Sequence, residues 1–183
     1  MKIYVVRHGE TEYSALNKYA GVVNIPLNTN GVKQAKKLRN EIEKLNIDII
    51  ISSPLIRAAR TAEIINEHMK KPLIFSDFFI ERNVGVYEGK TKEEAESQYP
   101  EMAARNCTRQ LDDAPLGGET LREFENRVLM GVEEVIRKYE SKNVLIVCHG
   151  FVARILNKFF NKLDYDEMYN YVLMHGVIEE YTA

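Results

Sequence analysis

Apolar residues in this chain fall into two kinds of run: short solid blocks, and longer stretches in which they recur every three or four positions. Ile3-Tyr4-Val5-Val6, Ile47-Asp48-Ile49-Ile50-Ile51 and Val144-Leu145-Ile146-Val147 are blocks dominated by β-branched and aliphatic residues. Such blocks fit strands buried on both faces of a parallel sheet. Pro72-Leu73-Ile74-Phe75 predicts a further short strand, and Val177 to Tyr181 carries the acidic pair Glu179-Glu180, which suits a sheet edge and not its centre. The helical spacing begins after Asn28, with Val32, Ala35, Leu38, Ile42 and Leu45 on one face and Asn28 or Thr29 as the cap. Pro54 opens a second helix over Leu55 to His68. Thr91-x-x-Glu94 and Thr120-x-x-Glu123 match the capping box, in which hydroxyl and carboxylate satisfy free amides at a helix start. The second of these opens a long helix through Leu121, Phe124, Val128, Val132 and Val135, and further helices are predicted over Phe151 to Phe160 and near Asp164 to Tyr171.

Strands that alternate with helices, with no internal repeat, predict an α/β protein: a single-domain three-layer α/β/α sandwich with a mostly parallel central sheet, spanning residues 1–183. The glycine-punctuated stretch Gly85 to Gly89 reads as a loop. Between Gly89 and Gly117 the pattern is least regular, so residues around 90–116 are expected to form an insertion that covers the active site.

Two of the predicted strands end identically. Val5-Val6-Arg7-His8-Gly9 and Val147-Cys148-His149-Gly150 each run into His-Gly, which places two imidazoles at the carboxyl edge of the sheet, where open α/β folds bind ligands. Arg7 adds a planar fork of donors suited to phosphate oxygens, His8 offers a nitrogen nucleophile capable of forming a phosphohistidine, and Gly9 presents no side chain to block a ligand. Arg57, in the first turns of the helix after Ser52-Ser53-Pro54, points back toward the same edge. Arg60, one turn on, reads as a solvated cation. Glu81 follows an apolar stretch and precedes the glycine loop, which makes it the candidate proton donor to a departing alkoxide. Arg105 and Arg109 lie in the irregular segment, as contacts for a carboxylate or second phosphate or as ordinary solvated cations.

Composition narrows the partner. A formal net charge of -2 and a pI near 6.1 give no global basic field, so no nucleic-acid partner is expected, while a local arginine cluster is enough to hold one phosphate. The apolar run after Met1 is too short for a signal peptide or a membrane span, which sets the expectation of a cytoplasmic protein with no membrane partner. Cys107 and Cys148 form no close pair, so neither a disulfide framework nor a zinc site is expected. Neither metal nor cofactor is called for, and the oligomeric state is left open.

Taken in order, Arg7-His8-Gly9-Glu10-Thr11, Pro26-Leu27 through Gly31 and Gln34-Ala35, Ser53-Pro54-Leu55 with Arg57-Ala58 and Thr61-Ala62, Glu81, Gly85, Glu88-Gly89, Gly117-Gly118-Glu119-Thr120 and Val147 with His149-Gly150 make the chain resemble the histidine phosphatase superfamily, which includes cofactor-dependent phosphoglycerate mutases. The resemblance runs nearly end to end. It implies that His8 is the phosphorylated nucleophile, that Arg7, Arg57 and a protonated His149 hold the phosphoryl group, and that Glu81 is general acid and later base, all without a metal. Ser14 stands where many relatives carry an asparagine that reaches the phosphate, Asn24 where aspartate is frequent, Asn28 where threonine is, Arg60 where glutamine is and Tyr87 where tryptophan is. By resemblance the expected function is hydrolysis of a small phosphorylated metabolite. A 2,3-bisphosphoglycerate-dependent mutase is the alternative, disfavoured by Val84 in place of an expected tyrosine and by the lack of any Arg-Arg dipeptide. A non-catalytic phosphate-binding regulatory module is the third reading, disfavoured because every catalytic group is retained.

Overall fold

The computed structural model describes residues 1–183. Along the chain the elements are β1 (Lys2–Arg7), α1 (Glu12–Ala15), α2 (Thr29–Ile42), β2 (Ile49–Ser52), α3 (Ile56–Met69), β3 (Leu73–Phe75), α4 (Lys92–Gln98), α5 (Pro100–Ala104), α6 (Leu121–Lys138), β4 (Val144–Cys148), α7 (Gly150–Asn161), α8 (Tyr165–Asn170) and β5 (Ile178–Thr182). The sheet has five strands in the order β3-β2-β4-β1-β5, parallel except for β5, which closes one edge antiparallel to β1. The acidic pair therefore sits on an edge strand, as its sequence predicts.

Because side chains alternate across a strand, each buried block feeds two cores. Ile3 and Val5 of β1, Ile49 and Ile51 of β2, and Val144 and Ile146 of β4 pack against α6 and α7 through Phe124, Val128, Val132, Val152 and Ile155. Tyr4, Val6, Ile50, Leu145 and Val147 face the other way, onto Leu38 and Ile42 of α2 and Ala58, Ala62 and Ile65 of α3. Each fully buried aliphatic side chain contributes about 1.5–3 kcal/mol, which explains why Ile3 to Val6, Ile49 to Ile51 and Val144 to Val147 carry no charged residue. The result is the three-layer α/β/α sandwich.

Helix starts follow the capping chemistry. Asn28 accepts from the Gly31 amide, and Thr91 and Thr120 form complete capping boxes with Glu94 and Glu123. Asp164 and Glu167 make another at α8. Gly85 to Tyr87, read as loop, winds one 3-10 turn, with Gly85 at φ +52° against the Leu116 backbone. The short helices α1 and α5, of four and five residues, carry too few turns to show a periodic stripe in the sequence.

The irregular region between Gly89 and Gly117 is anchored by a small core of its own. Ala95 and Cys107 pack with Val84 and Tyr87, flanked by Tyr19, Tyr99 and Met102. Buried Arg82 ties the segment down further, donating to the Thr108 carbonyl at 2.6 Å and through Nε and Nη2 to the Glu119 carbonyl at 3.2 Å. Both cysteines are free and buried.

Candidate active site

β1 and β4 are parallel neighbours in register, Arg7 beside Cys148, so the residues that follow them emerge side by side. His8 and His149 meet with ring centroids 5.1 Å apart. His8 opens onto a cavity of about 970 Å³ whose wall also includes Arg7, Arg57, Glu81, Arg109 and Arg154, while His149 is fully buried and off that wall. Ala103, Thr108 and other residues of the irregular segment also line it.

The His8 ring is held in one tautomer. Nδ1 lies 2.7 Å from the Gly9 carbonyl, which can only accept, so Nδ1 carries the proton and Nε2 keeps its lone pair. Burial, with Arg57 and Arg7 close by, pushes the His8 pKa well below the usual imidazole value, so the ring is neutral at physiological pH. Gly9 is required for a reason other than ligand access. A Cβ there would collide with the Gly31 backbone at the first turn of α2, and a Cβ on Gly31 would collide with the Glu10 backbone. The Gly9 amide donates to Thr61 Oγ1 at 3.1 Å, and Thr61 donates in turn to the Arg57 carbonyl at 2.7 Å, so α3 holds the His8 turn.

Arg57 is fully buried and donates at 2.7 Å to the carbonyls of Gly21 and Val23 and at 3.2 Å from Nε to His149 Nδ1. Burial lowers its pKa to about 10, which still leaves it cationic. His149 Nε2 lies 2.8 Å from Ser53 Oγ. Since Nδ1 accepts from Arg57, the proton of His149 is on Nε2 and the ring is neutral. Burial and the nearby Arg57 hold its pKa well below the ordinary value, against the protonated state that the resemblance implies. Arg7 Nε is buried and has no hydrogen-bond partner in the protein. An unsatisfied buried donor is costly, and an anion in the cavity would satisfy it.

Glu81 is fixed by two backbone amides, Arg82 N–H to Oε1 at 3.0 Å and Phe151 N–H to Oε2 at 3.2 Å, the latter in the first turn of α7. Arg127 braces the approach to it, donating to the Phe78 and Ile80 carbonyls at 3.1 and 2.9 Å and pairing with Glu119 at 2.7 Å. Ser14 lines the cavity, but its hydroxyl is engaged with Thr11, accepting from the Thr11 amide at 2.8 Å and donating to the Thr11 carbonyl at 3.0 Å. As it stands, Ser14 caps α1 instead of reaching toward an anion. Arg60 pairs with Glu63 on the surface, as its solvated reading implies. Arg105 is held by Asp113 and lies off the cavity wall, whereas Arg109 is on that wall, stacked over Tyr169 at 4.7 Å.

Sequence reasoning missed His175 and Arg154. His175 Nδ1 lies 2.5 Å from the His8 carbonyl and its ring 5.4 Å from the His8 ring, so the nucleophile candidate is flanked by imidazoles on both sides. The signal was present, for Tyr171-Val172-Leu173-Met174-His175-Gly176 is a third apolar run ending in His-Gly. Its apolar part forms no strand, which separates it from the other two.

A mostly parallel α/β sandwich presents Arg-His-Gly and His-Gly at adjacent strand ends, and residues 3–180 match the family model of the histidine phosphatase superfamily (branch 1): the chain belongs to that family. It is 40% identical over 154 residues to the uncharacterized phosphatase PhoE of Bacillus subtilis, a match covering 84% of this chain and 74% of that protein. Phosphoserine phosphatase 1 of Hydrogenobacter thermophilus is 34% identical over 156 residues, covering 85% of this chain and 74% of its own length. The crystal structure of the α-ribazole phosphatase from Shigella flexneri superposes with a TM-score of 0.90 at 24% identity, over 98% of this chain and 89% of that one, and so shares the fold.

Proposed function

We propose that this protein is a phosphomonoesterase that hydrolyses a small phosphorylated metabolite through a phosphohistidine at His8. The observation that carries this reading is the pairing of a neutral His8, its Nε2 lone pair free, with a buried Arg7 donor that no protein atom satisfies, both on the wall of one cavity. His8 Nε2 attacks phosphorus, the ester P–O bond breaks, and the leaving oxygen takes a proton from Glu81. Arg7 and Arg57 neutralise charge on the equatorial oxygens, the main requirement of phosphoryl transfer. His149 is bonded to Arg57 through Nδ1 and to Ser53 through Nε2, so it holds the Arg57 guanidinium in place for that role. Water then attacks the phosphohistidine, gives its proton to Glu81, and the N–P bond breaks to release phosphate.

Relatives named as phosphatases support hydrolysis, as do Val84 and the missing Arg-Arg pair, which depart from the mutase pattern. The reading is tested by phosphate release from p-nitrophenyl phosphate. His8→Ala is expected to abolish turnover while circular dichroism stays native, and turnover that persists in this variant contradicts the covalent route.

A further inference from the structure

The chain has eleven arginines, and they divide sharply. Arg39, Arg60, Arg105, Arg122 and Arg127 all pair with carboxylates. Of the rest, every one except Arg137 lines the same cavity, and none of those has a carboxylate partner. Arg7 and Arg57 belong to the phosphoryl cradle, and Arg82 is engaged by main-chain carbonyls. That leaves Arg109 and Arg154. Arg109 donates no side-chain hydrogen bond, and Arg154 uses only Nε, to the Tyr171 carbonyl at 2.9 Å. They are linked through aromatic rings: Arg154 lies 5.0 Å from the Phe151 centroid, Phe151 meets Tyr169 edge-on at 6.0 Å, and Arg109 covers Tyr169.

Neither guanidinium forms an ion pair with a carboxylate of the wall, and of those carboxylates Glu81 is near enough to act on the charge of Arg154. Glu10 accepts from Asn28 at 2.9 Å, and Glu96 pairs with Lys92 at 3.7 Å. Two guanidinium groups facing one cavity, with Glu81 the one carboxylate acting on Arg154, leave positive charge that an anion entering the cavity balances. Their position gives that anion a place in the reaction. Glu81, held by the Phe151 amide, shares the first turns of α7 with Arg154, so a leaving alcohol that meets Glu81 lies beside the Arg154 guanidinium.

We propose that Arg109 and Arg154 form a second anion subsite, so that preferred substrates are phosphomonoesters whose leaving alcohol itself carries a carboxylate or a second phosphate. This rests on the phosphomonoesterase reading and narrows it to a substrate class. The test uses esters that share a three-carbon skeleton: glycerol 3-phosphate, 3-phosphoglycerate and glycerol 1,3-bisphosphate. Their binding to the His8→Ala chain is measured by calorimetry, so that turnover does not interfere. At least one doubly anionic ester is expected to bind about tenfold or more tightly than glycerol 3-phosphate. Which of the two does so identifies carboxylate or phosphate. That advantage is expected to shrink to within about threefold when Arg109→Gln and Arg154→Gln are combined in the same background. Equal affinities, or an advantage that survives both substitutions, overturn the subsite. Should His8→Ala fold poorly, the ratio of kcat/KM values among the three esters in the wild-type chain supplies the same comparison. Absence of p-nitrophenyl phosphate hydrolysis alongside an intact binding advantage overturns the catalytic reading alone, and failure of every ester to bind overturns both.

Discussion

Replacing Glu81 by Gln separates proton donation from simple positioning. The Glu81 carboxylate accepts from two backbone amides, at 3.0 and 3.2 Å. A glutamine amide has only one acceptor oxygen, so its NH2 group must face one of those N–H donors. Loss of that bond costs about 1 kcal/mol in a half-buried setting, equivalent to roughly fivefold in rate, and it falls on every substrate alike. Loss of the proton does not. General acid catalysis contributes about 10²- to 10⁴-fold, or about 2.7–5.4 kcal/mol, and is needed chiefly where the leaving group is a poor one. Single-turnover cleavage of an alkyl phosphate is therefore expected to slow by about 10²-fold or more beyond the slowing seen with p-nitrophenyl phosphate, whose phenolate departs with little help. Equal losses on the two substrates would refute the acid role and leave Glu81 as a residue that orders the site or activates water in the shared second step.

His8, His149 and His175 all have folded pKa values pressed below the usual 6.5, burial being the leading cause for each. Below about pH 6.5 the unfolded chain binds protons that the fold rejects, so stability is full above that pH and declines as pH falls toward the depressed values, by up to about 1.4 kcal/mol per pH unit for each ring. Urea unfolding at pH 7.5 and 5.5 measures this, and equal free energies at the two pH values contradict it. Ser14→Ala is expected to lower stability by about 0.5–2 kcal/mol through loss of its capping bonds to Thr11, with kcat/KM on p-nitrophenyl phosphate within about twofold of wild type. A tenfold activity loss at unchanged stability would instead make Ser14 a phosphate contact.

The sheet and its functional edge are legible in the sequence because one pattern carries both. The buried stretch of a strand covered on two faces tolerates no charged residue, so Arg7-His8 and His149 stand out where β1 and β4 end. Capping chemistry is local, and Asn28, Thr91 and Thr120 accordingly mark helix starts without tertiary information. What depends on contacts between distant segments is not visible in this way. Gly9 is dictated by the backbone of Gly31, and the charge state of His149 by Arg57 and Ser53, residues about a hundred positions away. Arg154 looks like one more helix cation until α7 is docked beside Glu81 and the Phe151–Tyr169 pair. Ser14 is the converse case, since its hydroxyl is engaged by a neighbour three residues away.

The covalent intermediate is the central claim, and trapping it is the direct test. Mixing the protein with a phosphomonoester labelled on phosphorus and quenching in alkali within the first turnover should leave label on the wild-type chain. That label should resist base and be lost in acid, map to the peptide containing His8, and be absent from His8→Ala. Label that maps to a serine or aspartate, or phosphate release that continues in His8→Ala with no label on the chain, would contradict the account.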